Sequence, residues 1–387
     1  MYLRLANPLL SNSFFLFGPR GTGKSTLLKK ILPPSGRMLW FNLLDSVLFQ
    51  QLIFKPNKFL EMIPKSFGNK DWIIIDEVQR IPELLNSVHM LIEEKKIKFA
   101  LTGSSARKLK RGGANLLAGR AFLNSIHPLT SRELGSDFQL DDVLNFGSLP
   151  HLFSFKDIES KKEYLRTYVA TYLREEIMEE QIIRRLDPFV RFLESAAQCN
   201  GQIINAAKIG RDALSDKKAV LRYFQVLTDT LTGFFIEPYH TSVRKVQTAK
   251  SKFYFFDPGI TRSLQGALDS SLVPRSYAYG RAFEHFFILE CLKLKDYLRK
   301  EDRFYYSRTK DGVEIDLLIE RSRKELIALE IKSSTQVDES ELRPALSLAE
   351  DLKVKRFIVA CREDRPRKAG VIEILPWRQV LEQLYPA

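Results

Sequence analysis

Eight consecutive residues, Gly18, Pro19, Arg20, Gly21, Thr22, Gly23, Lys24 and Ser25, carry the spacing G-x-x-x-x-G-K-[ST]. That spacing has a mechanism. Glycines let backbone N–H groups converge on phosphate oxygens, the lysine reaches the outer phosphates, and the hydroxyl after it takes a place on Mg²⁺. Lys24 and Ser25 hold those positions, Thr26 opens a helical run to Ile31, and the helix start adds its positive end. Farther on, Trp72 to Ile75 runs straight into Asp76 and Glu77. At the carboxyl end of a buried strand, Asp76 would hold Mg²⁺ through water and Glu77 would polarise an attacking water. The two segments together predict a nucleoside triphosphatase. Ser104, after the strand Phe99 to Thr102, is a candidate contact to the γ-phosphate or the water, with an ordinary Ser-rich turn as the alternative. Arg120 closes the basic stretch ARKLKRGGANLLAGR. It is a candidate arginine finger for a neighbouring subunit, or else a surface or phosphate-contacting arginine.

A second set of ionisable residues lies near the carboxyl end. In Gly312 to Glu320 apolar residues alternate with Glu314, Asp316 and Glu320, so Asp316 projects away from the apolar stripe. Glu330 and Lys332, two apart, share one face of the next strand. The fourteen residues from Asp316 to Glu330 suffice for two short strands and a turn, so the three heads can meet. Glu284 sits among Ala282, Phe283, Phe286 and Phe287 on a predicted helix, where a carboxylate is unexpected unless it serves a site. Arg244, Lys245, Lys250 and Lys252 occupy a loop without acids, suited to lie against phosphates.

The elements that would position these groups follow from periodicity. Apolar runs SFFLFG, RMLWFNLLD, DWIIID and KFALTG, separated by helical stretches, predict a parallel α/β sheet over residues 1–150. Residues 151–256 read as helices at spacings of three and four, then a helix, turn, helix and β-hairpin. That arrangement is a winged helix, with the basic loop as its wing; the alternative is a plain packing segment or a lid. Residues 257–387 return to a helix and strands, a second α/β unit.

The strings FGPRGTGKST, IIIDEVQRIPELL, FALTGSSARKL, LLAGRA and HPLTSREL resemble AAA-type (AAA+) P-loop ATPases whose carboxyl half is catalogued only as a domain of unknown function. The resemblance covers nearly the whole chain and implies ATP rather than GTP as the nucleotide, with Mg²⁺, a winged-helix-like segment and a nuclease-fold-like domain. The order Glu284, Asp316, Glu330, Lys332 in turn resembles the PD-(D/E)xK nuclease fold. By that resemblance Asp316 and Glu330 would bind Mg²⁺, Lys332 would orient water or stabilise the pentavalent phosphate, and Glu284 would complete the metal shell. The function expected is an ATP-hydrolysing protein acting on DNA. Its alternative is an ATP-gated DNA-binding or protein-interaction regulator whose nuclease-like domain does not cut.

Composition agrees with a folded chain. Its 387 residues are 44% hydrophobic and carry a formal charge of +13, with net +8 in residues 1–150, none in 151–240 and +5 in 241–387. Basic ends make a polyanion such as DNA a plausible partner. A homo-oligomer is the other partner expected, as an arginine finger requires. Three well-separated cysteines offer no metal knuckle or disulfide framework, and no long apolar run predicts a leader or a membrane span. The sequence therefore predicts a cytoplasmic protein without a membrane partner.

Overall fold

The computed structural model describes residues 2–32, 37–105, 117, 119–173, 186–239, 250–321 and 325–386. The described residues form two sheets. The first holds β1 (Ser13–Phe17), β2 (Met38–Asn42), β3 (Trp72–Asp76), β4 (Lys98–Gly103) and β5 (Ala121–Ser125) in the order β2-β3-β4-β1-β5. Every pairing is parallel. β1 and β3 are buried along their whole length, as near-continuous Phe and Ile runs require when helices cover both faces. Phe15, Ile73, Ile75 and Phe99 pack on one face, and Phe14, Ile74 and Ala100 on the other. β4 lies between β1 and β3, so the ends of all three strands converge on one rim.

Residues 149–268 build a core of their own around Phe189, Phe192, Phe224 and Phe253. Its helices include α2 (Ile158–Thr167), α3 (Leu186–Gln198), α4 (Ala206–Asp212) and α5 (Lys217–Asp229). Asp157, Asn205 and Asp216 cap three of them, each accepting a backbone N–H from the first turn. A hairpin follows, β6 (Gly233–Pro238) antiparallel to β7 (Lys252–Phe255).

That hairpin does not stand apart. β6 pairs in parallel with β8 (Arg303–Arg308) at Glu237–Tyr305 and Pro238–Tyr306, extending a sheet ordered β12-β13-β11-β10-β9-β8-β6-β7. The would-be wing strands are thus the edge of the carboxyl-terminal sheet, and that sheet crosses the expected division at 256/257. Its remaining strands are β9 (Glu314–Arg321), β10 (Glu325–Ile331), β11 (Arg356–Cys361), β12 (Arg367–Ala369) and β13 (Ile372–Pro376). β8, β9 and β10 form an antiparallel meander, and β11 runs parallel to β10. The helix α6 (Tyr277–Tyr297) packs on one face; it is buried almost all round because Phe283, Phe286, Phe287 and Leu294 meet the sheet and the 129–144 segment together.

Candidate functional sites

At the rim of the first sheet, Gly18 N donates to Gly103 O at 3.2 Å, tying the loop after β1 to the end of β4. Only glycine fits at position 18, since a Cβ there would lie 2.2 Å from Ile126 O. Gly21 and Gly23 take φ of 79° and 90°, the left-handed turns that bring the chain into the helix Lys24–Ile31. Lys24 is buried; its Nζ donates to Gly18 O at 2.9 Å and Pro19 O at 3.3 Å, and lies 3.5 Å from Glu77 Oε1. Thr22 donates its hydroxyl to Pro19 O at 2.8 Å. The Arg20 carbonyl accepts from Tyr168 Oη at 2.9 Å, so the helical middle segment touches the loop directly.

Ser25 Oγ donates to Asp76 Oδ2 at 2.7 Å, and Thr102 Oγ1 of the intervening β4 donates to Asp76 Oδ1. A hydroxyl and a carboxylate on hard oxygen, side by side below a phosphate loop, suit Mg²⁺, which binds through one or two protein ligands plus phosphate and water. Glu77 follows in a left-handed conformation, φ 61° and ψ 48°, uncommon for a side chain of this size. Its Oε2 accepts from Gln79 Nε2 at 2.6 Å and from Ser104 Oγ and N at 3.1 and 3.2 Å. Burial would raise its pKa, but Lys24, Gln79 and Ser104 together hold it below the ordinary glutamate value. Ser104 thus faces the Glu77 carboxylate. Gln79 and Thr102 were not singled out in the sequence, although Gln79 lies only two residues beyond Glu77.

Arg120 precedes β5, whose residue Ala121 pairs with Ser13, so it sits at the opposite end of the strands from the loop after Phe17. There it pairs with Glu93. Within one chain Arg120 does not reach the phosphate loop.

The second group gathers around β7, β9, β10 and α6; Lys252, Glu284, Glu314, Asp316 and Lys332 line a cleft of about 530 Å³, and Glu330 is buried beside it rather than in its lining. Asp316 Oδ2 accepts from Ile331 N at 2.8 Å. Loss of solvent, then repulsion from Glu330 and Glu284, pushes the Asp316 pKa well above the usual aspartate range. Glu330 is 4% exposed and also raised by burial, against the pull of Lys332, whose Nζ lies 3.2 Å from its Oε2. Glu330 Oε1 is enclosed and makes no hydrogen bond among the described residues. A buried, unpartnered carboxylate oxygen is costly unless a cation or donor comes to it, and this one fits a divalent metal.

Lys252 does not behave as a wing residue. It is 3% exposed, its Nζ is 3.5 Å from Glu284 Oε1 and pairs with Glu314, so it lines the carboxylate cleft rather than standing out on an exposed loop. The pairing of β6 with β8 turns β7 toward the carboxylates. Tyr254, on the same face of β7, donates to Glu284 Oε1 at 2.7 Å. Glu284 is therefore engaged by an ammonium and a phenol. Lys250 is exposed, and Arg244 and Lys245 lie outside the described residues. Among the described residues no three His, Cys, Asp or Glu side chains form a ready metal cage. A cation here would rest on Asp316 and Glu330, with the remaining ligands from water and substrate. No helix among those described is long and apolar enough to cross a membrane.

Residues 11–135 match an AAA domain family. The match supports a P-loop ATPase family. Residues 137–271 and 279–380 match two domains of unknown function, DUF8612 and DUF4143. An uncharacterized protein of Mycobacterium tuberculosis is 28% identical over 95% of this chain and 80% of its own length. One of Methanocaldococcus jannaschii is 22% identical over 88% of this chain and 79% of its own. A solved DNA polymerase III gamma subunit-related protein of Thermotoga maritima is 11% identical, covering 73% of this chain and 95% of that one, with a TM-score of 0.22, too low to bear on function.

Proposed function

We propose that this protein binds and hydrolyses ATP with Mg²⁺ at the first rim and brings the carboxylate cleft to DNA. The observation that carries the ATPase reading is the contact of Ser25 with Asp76 beside a Glu77 paired to Lys24. Bound Mg²⁺ would supply charge neutralisation between the outer phosphates, held by Ser25 directly and Asp76 through water. Phosphate oxygens would draw Lys24 from Gly18 O, Pro19 O and Glu77. The freed Glu77 carboxylate would then accept a proton from the attacking water. A cavity of about 490 Å³ beside Gly23 and Thr26, closed by Tyr2, Leu129 and Phe153, is where the base would lie.

For the cleft, Asp316 and Glu330 would hold the metal and Lys332 would orient water toward a phosphodiester. The nuclease-like reading is supported by the order α6, β8, β9, β10, α7 (Arg343–Asp351), β11, with the acids on β9 and β10. A second reading, binding without cutting, is favoured by Lys252, whose ammonium already neutralises Glu284 and Glu314. One experiment tests both: phosphate release and strand breaks measured together with ATP, Mg²⁺ or Mn²⁺, and linear, branched and single-stranded DNA. Lys24→Ala is expected to abolish phosphate release. Asp316→Ala and Lys332→Ala are expected to abolish nicking while ATP turnover survives. Unimpaired turnover in Lys24→Ala refutes the ATPase, and undiminished cutting in the other two refutes the metal assignment.

A further inference from the structure

A second cavity, of about 230 Å³, opens beside the carboxylate cleft, and Tyr277 and Arg281 line both. It contains two guanidinium groups, Arg262 and Arg281, and not one carboxylate in its lining. Arg262 is 8% exposed; its Nη2 donates to the carbonyls of Ala267 and Ser270, while its Nε is enclosed and makes no hydrogen bond among the described residues. Arg281 donates to Asn200 O and, at 3.4 Å, to Gln198 O, and its guanidinium lies over the Tyr277 ring at 5.8 Å. His285 on the same wall is pushed down to about 4 by burial and is neutral.

A buried cation facing only carbonyl dipoles is an uncompensated charge, and burial alone depresses the Arg262 pKa. Guanidinium forks match phosphate oxygens in shape as well as charge. Gln198, Asn200, Thr261 and Gln265 line the same space with uncharged polar groups. The volume is smaller than that of a drug-sized ligand site, and suits a single small anion.

We propose that this cavity is a phosphate-binding subsite, which holds the phosphodiester adjacent to the one presented to Asp316 and Glu330. The inference rests on the reading of the cleft as a nucleic-acid site, and it adds a carboxylate-free cationic pocket beside a centre whose own cations Lys252, Arg308 and Lys332 are paired to its acids. Arg281 would orient the strand from the cleft side and Arg262 would anchor the phosphate from below.

The test uses the full chain in EDTA, so that neither strand cutting nor the metal enters. Binding of a short fluorescein-labelled single strand is followed by anisotropy at fixed ionic strength. Arg281→Gln is the informative variant, because Arg281 lines both cavities whereas the buried Arg262 closes its own loop; Arg281→Lys, which can still donate to Gln198 O and Asn200 O, controls for those carbonyl contacts. The expected result is affinity weakened about tenfold in Arg281→Gln. A smaller loss is expected in Arg281→Lys, which keeps the charge without the fork. ATP turnover, measured separately with Mg²⁺, should be unchanged in both. In a Lys24→Ala background, which silences the phosphate loop, inorganic phosphate should raise the melting temperature of the protein with Arg281 but not of Arg281→Gln. Wild-type strand affinity in Arg281→Gln overturns the proposal. A phosphate-dependent shift confined to the protein with Arg281, with strand binding unaffected, assigns the pocket to free phosphate and overturns the nucleic-acid role. If the wild type binds no strand, the reading of the cleft fails, and the phosphate shift still decides whether the subsite exists.

Discussion

Replacing Glu77 by Gln should make ATP bind more tightly while hydrolysis slows. Glu77 Oε1 lies 3.5 Å from Lys24 Nζ, and the two side chains are 12% and 6% exposed. Across that distance the Coulomb attraction is about 5 kcal/mol at an effective dielectric of about 20. Desolvation of two buried charges cancels most of it, leaving about 1 kcal/mol net. Nucleotide phosphates must break this contact to recruit Lys24. Glu77→Gln removes the opposing term, so ATP affinity should rise about fivefold. The amide can still fill the space between Gln79 and Ser104, but it cannot take a proton. Loss of a general base typically lowers turnover by about 10²–10⁴-fold. Fluorescent-nucleotide titration gives the affinity, and phosphate release under saturating ATP gives the rate. Turnover within a factor of three of wild type would show that Glu77 is a structural partner of Lys24 and Gln79. Weakened binding would refute the account of Lys24 as held in competition between Glu77 and phosphate.

Gly18→Ala should be severe, because the new Cβ would meet the backbone oxygen and side chain of Ile126 at 2.2 and 2.7 Å. The loop must move, and destabilisation of about 2 kcal/mol or more is expected in thermal melts, with loss of nucleotide binding. A stable variant that binds ATP normally counts against the close approach. The pH dependence at the cleft has a defined sign. Asp316 and Glu330 have folded pKa values raised above their unfolded ones. Their contribution to stability is present in acid and is lost as pH rises through the raised values. In EDTA, Asp316→Asn should therefore melt higher than wild type at pH 8, with the gap closing toward pH 4 and on adding Ca²⁺ to the wild type. A gap that widens in acid reverses the sign and refutes the buried-carboxylate account.

The phosphate loop and the Asp76–Glu77 pair were legible because their chemistry is local: each lies within a few residues of a strand end that hydropathy marks clearly. β5 escaped notice because Ala121–Ser125 is a short edge strand with Phe122 and Leu123 exposed, so it lacks the apolar continuity of β1 and β3. Thr102 could not be assigned its contact with Asp76 from sequence, since the insertion of β4 between β1 and β3 is a property of strand order. Lys252 is the instructive difference. In the chain it ends a run of cations, and a solvated loop was the natural reading. The signal against it was Tyr254, two residues on and therefore on the same face, an aromatic that belongs under cover. Which cover it has depends on β6 meeting β8, a contact between residues nearly seventy apart.

The placement of α6 explains why the two sites belong to one body. Glu290 and Lys293 on this helix are 1% and 3% exposed and pair with each other at 3.4 Å, and their other partners come from residues 129–148. Glu290 Oε2 accepts from Ser131 N and Oγ at 2.8 and 2.6 Å, and Lys293 Nζ donates to Leu129 O at 3.1 Å and Ser148 Oγ at 3.2 Å. Pulling the segments apart would take all four of these hydrogen bonds from the buried Glu290–Lys293 pair, leaving its two members only each other. At the end of the same helix, Tyr297 Oη meets Arg4 Nη2 at 3.2 Å, while Arg4 Nη1 donates to Thr22 O at 2.7 Å within the phosphate loop. Glu284 stands nearer the other end, thirteen residues away, or about 20 Å along the axis. Arg4 thus links the phosphate loop directly to the helix that carries a carboxylate of the cleft. Segments 1–150 and 257–387 are consequently linked through polar contacts that the hydropathy pattern of either segment alone does not show.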